Sequence, residues 1–83
     1  TRGLARDMGP DRIRVNTLTP GWVMTDRQLN NWVNEDTKKV IDQSQCIKGS
    51  LMPEHICAMA LFLASDDSYM CTAQDFIVDG GWI

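Results

Sequence analysis

The residues whose types and spacing best fit a binding site lie in Pro20-Gly21-x-Val23-x-Thr25, inside the stretch TLTPGWVMTD. Gly21 has no Cβ, so another molecule can approach the backbone closely there. A backbone turned outward at Val23 offers a donor and an acceptor, and the Thr25 hydroxyl can also donate. The spacing therefore fits a ligand with a polar edge, and it equally fits a strand that ends in a Pro-Gly turn with a capping Thr.

Three further side chains near this stretch are candidates for substrate contacts: Trp22, Gln28 and Trp32. The Trp22 ring could face a pocket, or it could be an ordinary large core residue. Gln28 and Trp32 could offer an amide and an aromatic edge to hydroxyl groups, or they could be a surface Gln and a packed Trp. The residues themselves leave both pairs of interpretations open.

The histidine, the paired aspartates and the cysteines do not form the pattern of a catalytic or metal site. His55 is the one histidine and has no evident catalytic partner, so we expect a surface or interface residue. Asp66-Asp67 lacks the spacing of a calcium loop and is typical of a solvated turn. The three cysteines are widely spaced and contain no C-x-x-C pair, which predicts reduced structural thiols: Cys46, Cys57 and Cys71. We therefore expect no metal site and no catalytic residue in this chain.

The composition and charge of the chain indicate which classes of partner it can bind. The chain has 83 residues, 43% of them hydrophobic, and a net charge of −3, which indicates one small globular unit. Its eight Lys and Arg residues are scattered, whereas nucleic-acid binding needs them clustered. The longest apolar run, residues 56–64, is far below the roughly 20 residues that span a bilayer. We expect a cytoplasmic protein that binds neither nucleic acid nor membrane.

The first half of the chain predicts a helix and a strand that would position the Pro-Gly turn. Leu4, Ala5 and Met8 have helical spacing, and Gly9 followed by Pro10 predicts a helix that ends near Met8 with a glycine C-cap. Residues 13–19 are rich in β-branched side chains and predict a strand buried on both faces. The Pro-Gly turn would then lie at the carboxyl end of this strand.

The second half predicts helices followed by a strand. Residues 26–50 are polar and predict one helix around Leu29, Trp32 and Val33, and another helix with Asn34 as its N-cap. Pro53 opens a firm helix that ends at Ala64, and residues 75–79 predict a second strand that ends at Gly80-Gly81. The helix from Pro53 is apolar all round, so we expect a sheet on one face and a subunit interface on another.

The order of these elements predicts the fold class. A strand, a helical connection and a second strand form a βαβ unit, whose strands lie parallel with a right-handed crossover. We therefore predict an α/β chain with two parallel strands and flanking helices. Ligands of such sheets collect at the carboxyl ends of the strands, which for the first strand is Thr19-Pro20-Gly21. The chain also starts inside a helical pattern, so we expect it to be the C-terminal portion of a longer protein.

The motifs carry a family resemblance. The stretch LARDMGPDRIRVNTLTPGWVMT, followed by ALFLASDDSYMCTAQDFIVDGGW, resembles the C-terminal part of short-chain dehydrogenases/reductases. The insert and the ending DDSYMCTAQDFIVDGGW are similar to bacterial aldose 1-dehydrogenases of the galactose, rhamnose or xylose type. Ala73 stands where many relatives have glycine. The resemblance implies the C-terminal part of a Rossmann-type sheet that lacks the N-terminal dinucleotide-binding half.

The resemblance also implies roles for the residues singled out above. In the family, the Pro-Gly-x-[Ile/Val]-x-Thr motif lines the nicotinamide end of NAD or NADP, so Pro20, Gly21, Val23 and Thr25 are expected to bind the cofactor. Trp22 would face the substrate pocket, together with Gln28 and Trp32 on the insert of residues 26–50. Residues 53–83 would form the interface of a homodimer or tetramer.

The implied activity is hydride transfer from the anomeric carbon of an aldose to nicotinamide. The family's Tyr-x-x-x-Lys pair is absent, because the one tyrosine, Tyr69, has no lysine after it, so we expect the chain alone to be inactive. Two alternatives stay open. The chain could come from another member of the family, such as a ketoacyl or steroid reductase, or it could be a non-catalytic, truncated association module.

Overall fold

The computed structural model describes residues 1–25 and 34–83. In chain order the elements are helix α1 (Arg2–Met8), a 3₁₀ turn (Gly9–Asp11), strand β1 (Thr17–Pro20), helix α2 (Glu35–Ser44), helix α3 (Pro53–Ala64), a second 3₁₀ turn (Asp66–Ser68) and strand β2 (Asp75–Val78). The helix expected around Leu29, Trp32 and Val33 lies outside the described residues.

The two strands form a parallel pair whose register runs from Thr17 opposite Asp75 to Pro20 opposite Val78. The predicted α/β class and the parallel arrangement are therefore confirmed. A side-chain hydrogen bond reinforces the register, because the Thr19 hydroxyl donates to Asp75 Oδ1 at 2.6 Å. The carboxyl ends of both strands consequently meet at one edge of the sheet, directly before Gly21 and Asp79.

Strand β1 is shorter than the predicted strand over residues 13–19. The residues before Thr17 bind a loop instead of a strand: Val15 N donates to Thr72 Oγ1 (3.1 Å) and Asn16 Nδ2 donates to Cys71 O (2.9 Å). Ala73, in that loop, has a left-handed φ of 63°, which is incompatible with a regular ladder. The prediction of a strand buried on both faces is also wrong for this chain, since β1 is half-buried to exposed.

Helix α1 ends at Met8 with Gly9 as its C-cap residue, as predicted. Gly9 has helical angles (φ −55°, ψ −43°) and the chain continues into the 3₁₀ turn. Pro10 fits that turn because its fixed φ is close to helical values. The left-handed residue is Arg12 (φ 61°), whose N–H donates to Gly9 O at 2.9 Å. Arg12 Nη1 also donates to the Tyr69 hydroxyl at 2.8 Å, which ties this turn to the segment after α3.

Helices α2 and α3 begin where the sequence predicts. The Asn34 side chain caps α2 by accepting from Thr37 N at 2.9 Å. Helix α3 has Pro53 at its start, and His55 Nδ1 accepts from Met52 N at 2.8 Å, so the imidazole closes the first turn. This contact gives His55 a capping function that the sequence analysis did not identify. Because Nδ1 accepts, the ring proton of the neutral imidazole lies on Nε2.

The buried apolar residues of the described chain lie on four different segments: Ala5, Met24, Ile41 and Leu51. No residue of α3 is fully buried within this chain, although the helix is almost entirely apolar. Leu61 is 72% exposed and Phe62 is 39% exposed. The core of this chain is therefore small, and most of its longest apolar helix lies at the surface.

Candidate functional site

The Pro-Gly turn continues directly from the paired strands. Gly21 N donates to Val78 O at 2.9 Å, which extends the β1–β2 pairing by one hydrogen bond beyond Pro20. A Cβ on Gly21 would lie 2.6 Å from Asp79 Cβ and 2.8 Å from Asp79 Cα. Gly21 therefore allows two segments of this chain to pack together. This packing is a reason for glycine at position 21 that is separate from the close approach of a ligand expected from the sequence.

Val23 lies in a second parallel contact, a bridge to Leu51 just before α3. The bridge uses Met24 N, which donates to Leu51 O at 2.8 Å. The Val23 carbonyl accepts from Thr25 N at 3.0 Å in a tight turn, and within residues 1–25 and 34–83 the Val23 N–H has no acceptor. The Val23 peptide edge thus keeps a donor and a second carbonyl lone pair for another molecule.

The two ends of the motif are accessible. Pro20 and Thr25 are both exposed, whereas Gly21 and Val23 between them are half-buried. Strand pairing to Val78 on one side and the Leu51 bridge on the other hold the turn in place. The structure therefore brings the four expected cofactor-binding residues together on a supported turn at the carboxyl edge of the sheet. Their function as ligands of a cofactor stays a prediction.

Trp22 packs against an aromatic ring that the sequence analysis did not consider. Its ring centroid is 6.4 Å from that of Trp82, with an angle of 32° between the ring planes. Trp22 Nε1 is buried and has no acceptor within the described residues. A buried donor without an acceptor costs about 1–3 kcal/mol, and such groups in native proteins call for a specific explanation.

Trp82 reaches Trp22 because residues 44–47 pair in antiparallel fashion with residues 80–83, an arrangement we call the terminal ribbon. Three backbone hydrogen bonds of 2.9 Å form it, from Cys46 N to Gly81 O, from Ile47 N to Gly80 O and from Ile83 N to Ser44 O. Gly80 and Gly81 have φ values of 68° and 79°, which turn the chain after β2. The sequence had predicted only that these glycines end the strand.

Gln45 anchors the terminal ribbon and is only 4% exposed. Its Nε2 donates to Ile47 O (2.6 Å) and to Gly49 O (2.8 Å), which fixes the orientation of the amide, because a reversed amide would bring oxygen against two carbonyls. Gln45 Oε1 is buried and has no partner within the described residues. A Cβ on Gly80 would lie 2.7 Å from Gln45 Cγ, so the glycine is required for this packing.

The remaining candidates have the following positions. Gln28 and Trp32 lie outside the described residues. Tyr69 accepts a hydrogen bond from Arg12, so its hydroxyl serves a structural contact. In the described part of the chain, no three His, Cys, Asp or Glu residues lie close enough to hold a metal ion. Across residues 1–25 and 34–83, no helix has the length and apolar character needed to cross a membrane.

Comparisons with known proteins agree on one family. A family profile described as Enoyl-(Acyl carrier protein) reductase matches residues 1–83. D-xylose 1-dehydrogenase of Caulobacter vibrioides is 46% identical over 82 residues, which is 99% of this chain and 33% of that protein. The chain thus spans about a third of the length of this relative.

Solved structures give the same result. A short-chain type dehydrogenase/reductase from Mycobacterium ulcerans superposes with a TM-score of 0.91 at 28% identity, covering 96% of this chain and 29% of that one. A 7α-hydroxysteroid dehydrogenase complexed with NADH and 7-oxo glycochenodeoxycholic acid superposes with a TM-score of 0.88 at 32% identity, covering 99% of this chain and 32% of that one.

Proposed function

This chain belongs to the short-chain dehydrogenase/reductase family, and from that premise we propose that it forms part of an NAD(P)-dependent aldose 1-dehydrogenase. The protein would oxidise the anomeric carbon of an aldose to the lactone. This chain would supply one wall of the nicotinamide site through Pro20, Gly21, Val23 and Thr25. Residues 26–50 would contact the substrate, and residues 53–83 would form an interface between subunits.

The observation that carries the proposal is the Val23 peptide edge. It lies at the carboxyl edge of a parallel sheet, where ligands of such sheets bind, and its N–H has no acceptor in the described residues. A carboxamide presents one acceptor and one donor, which match the Val23 N–H and the free lone pair of the Val23 carbonyl. The turn that carries them is fixed on both sides, so the groups are oriented before a ligand binds.

In the proposed reaction, bound nicotinamide supplies the hydride acceptor. The Val23 N–H and carbonyl would hold the carboxamide, and the exposed residue Thr25 follows two positions later in the same turn. Trp22 covers the substrate side of the turn and limits the access of water. The hydroxyl proton of the sugar needs a base from outside this chain, because Tyr69 is bound to Arg12 and has no lysine partner. We therefore expect these 83 residues alone to be inactive.

A substrate panel tests the proposal. The full-length product of the gene should reduce NAD or NADP when xylose, galactose or rhamnose is added, and the product should be the lactone. Separate assays with each cofactor determine the cofactor preference. Turnover of ketoacyl thioesters with no turnover of any aldose would contradict the aldose assignment.

A second candidate within the family is a ketoacyl or steroid reductase. The supporting observations are the family profile and the superposition on the hydroxysteroid dehydrogenase. The same assays, run in the reductive direction with a ketoacyl thioester and a 7-oxo bile acid, distinguish it from the aldose dehydrogenase.

A third candidate, from a different class, is a non-catalytic association module. It is favoured by the exposed apolar surface of α3, including Leu61 and Phe62. A full-length product that self-associates and turns over no substrate with either cofactor would support this candidate over both enzymes.

A further inference from the structure

Leu51 contacts the Pro-Gly turn from the segment just before α3. Its carbonyl accepts from Met24 N at 2.8 Å, in the parallel bridge between Val23 and Leu51. Its side chain packs against the same turn, because Leu51 Cδ2 lies 3.4 Å from the position that a Cβ on Gly21 would take. Leu51 is buried, with only 7% of its surface exposed. One residue therefore contacts the turn on both sides of Val23.

The hydrogen bond from Met24 N to Leu51 O determines where the Val23 carbonyl points. The Val23 carbonyl and the Met24 N–H belong to the same peptide group. In a planar trans peptide the two groups lie on opposite sides of the bond, and the described residues contain no cis peptide bond. Since the N–H is directed at Leu51, the carbonyl is directed away from Leu51. Its second lone pair therefore has a defined direction before a ligand binds.

We propose that Leu51 is a positioning residue for cofactor binding, which directs the Val23 carbonyl at the carboxamide N–H of the nicotinamide. This inference rests on the proposed function, because it takes the Val23 peptide edge as the site of the carboxamide. It adds to that function a residue that lies outside the Pro-Gly-x-Val-x-Thr motif. Leu51 acts through the peptide group that joins Val23 and Met24.

Contacts on both sides of Leu51 fix its own position. Before Leu51, the buried Gln45 side chain donates from Nε2 to Gly49 O at 2.8 Å. After it, Met52 N donates to His55 Nδ1 at 2.8 Å in the first turn of α3. The segment that carries Leu51 is thus held by the terminal ribbon at one end and by the helix start at the other. A residue that orients another group must itself be held in this way.

The Leu51 side chain also fills space beside the turn. It borders an open cavity that is lined as well by Ile47, His55 and Val78. Shortening the side chain to alanine removes its contact with Gly21 and extends this cavity towards the turn. The turn can then shift into the space that is left, because a structure relaxes partly around a truncated core residue. We expect the Val23 carbonyl to lose its fixed direction as a result.

The test compares two reduced cofactors in their binding to the full-length product. One is the natural cofactor, NADH or NADPH, whichever binds better. The other is its 3-acetylpyridine analogue, whose acetyl group keeps the carbonyl oxygen but has no N–H to donate. The ratio of their dissociation constants, analogue over natural cofactor, measures the contribution of the carboxamide N–H. In the unmodified protein we expect a ratio of roughly 3 to 10, the value of one hydrogen bond.

Leu51→Ala should raise the dissociation constant of the natural cofactor by roughly 3- to 10-fold and bring the ratio to about 1, because the hydrogen bond to Val23 O is lost. Leu51→Met, which nearly conserves the side-chain volume, should keep most of the ratio. Leu51→Val removes less volume than Leu51→Ala, so it should fold more readily and give an intermediate ratio.

The matched control is Ile41→Ala, since Ile41 is a similarly buried apolar residue, 6% exposed, on α2. Its truncation also leaves a cavity in the small core, so the free energy of unfolding should fall as it does in Leu51→Ala. The ratio of the two dissociation constants should nevertheless equal that of the unmodified protein. Hydrogen exchange at Met24 N should be faster in Leu51→Ala than in Ile41→Ala, because only the first variant weakens the bond to Leu51 O.

Three results would overturn the inference. They are an unchanged ratio in both Leu51→Ala and Leu51→Val, an equal fall of the ratio in Ile41→Ala, and equal binding of the two cofactors by the unmodified protein. Failure of the proposed function is a separate result. An unmodified protein that binds the natural cofactor but turns over no aldose would refute that function alone, and one that binds neither NADH nor NADPH would refute both.

Discussion

Gly21 is the residue where the expected site and the observed packing meet. Its Cα lies against Asp79, so that a Cβ would come within 2.8 Å of a backbone atom. A backbone atom cannot move aside as the end of a flexible side chain can. The glycine therefore determines how closely the Pro-Gly turn approaches the end of β2.

For Gly21→Ala we expect the free energy of unfolding to fall by about 2–3 kcal/mol, because the methyl group forces β1 and β2 apart. Urea denaturation of the full-length product measures this. The matched control is Gly3→Ala in α1, where a Cβ meets nothing within 4 Å and should stabilise the helix by about 0.5–1 kcal/mol. Equal stability of the two variants would contradict the packing role of Gly21.

Ala73 has a backbone conformation that is unfavourable for alanine. Its φ of 63° is left-handed, and Ala73 N nevertheless donates to Val15 O at 2.9 Å, so the contact holds the strain in place. Ala73→Gly should raise the free energy of unfolding by about 1 kcal/mol, since glycine adopts this angle without a Cβ clash. The control Ala58→Gly, inside α3, should lower it by about the same amount. Thermal denaturation should therefore show a higher Tm for Ala73→Gly and a lower Tm for Ala58→Gly than for the unmodified protein.

At the scale of elements, helix ends were the most predictable features. Pro53 and Asn34 act through contacts with their own first turns, so adjacent residues contain the information needed. The limits of β1 were less predictable, because they depend on a loop more than 50 residues away, where Thr72 binds Val15. The 3₁₀ turn after the helix was not predicted for a similar reason, since the chain turns at Arg12, whose side chain donates to the distant Tyr69 hydroxyl.

For the cap of α2, Asn34→Ala should lower the free energy of unfolding by about 1 kcal/mol, because the hydrogen bond from Thr37 N to the Asn34 side chain is lost. Asn34→Asp should keep most of the stability, since a carboxylate accepts the same bond and suits the positive end of the helix. Hydrogen exchange at the first turn of α2 localises the effect. Faster exchange in the Asp variant than in the Ala variant would contradict this capping role.

The candidate site shows the same division between local and distant information. Its Pro-Gly turn is a local motif and could be read from residues 20–25. The contacts of Trp82 and Gln45 join residues far apart along the chain, and no spacing in the sequence marks them. A glycine pair after a strand indicated a turn, but not the antiparallel pairing that follows it. For this reason the sequence predicted one wall of the site and missed its support.

At the scale of the whole molecule, the exposed surface of α3 is the main departure from a self-contained fold. Leu61 is 72% exposed, and burying such a side chain is worth about 1.5–3 kcal/mol. We expect Leu61→Arg to reduce the molar mass of the full-length product in solution by breaking a subunit contact. Light scattering coupled to size-exclusion chromatography measures this.

The control is Val40→Arg, which replaces a 48% exposed apolar residue on α2 and should leave the molar mass in solution unchanged. The same loss of mass in both variants would exclude a specific α3 interface.

The parallel register also has a consequence for the time at which the fold forms. The bond from Thr19 to Asp75 joins residues 56 positions apart, and its second partner is synthesised long after the first. At the usual speed of translation the interval is roughly 3–11 s, whereas local helices form within microseconds. During that interval β1 has a free edge, and free strand edges are sites of aggregation. The edge of residues 17–20 therefore stays open to other chains until the ribosome has produced the strand that pairs with it.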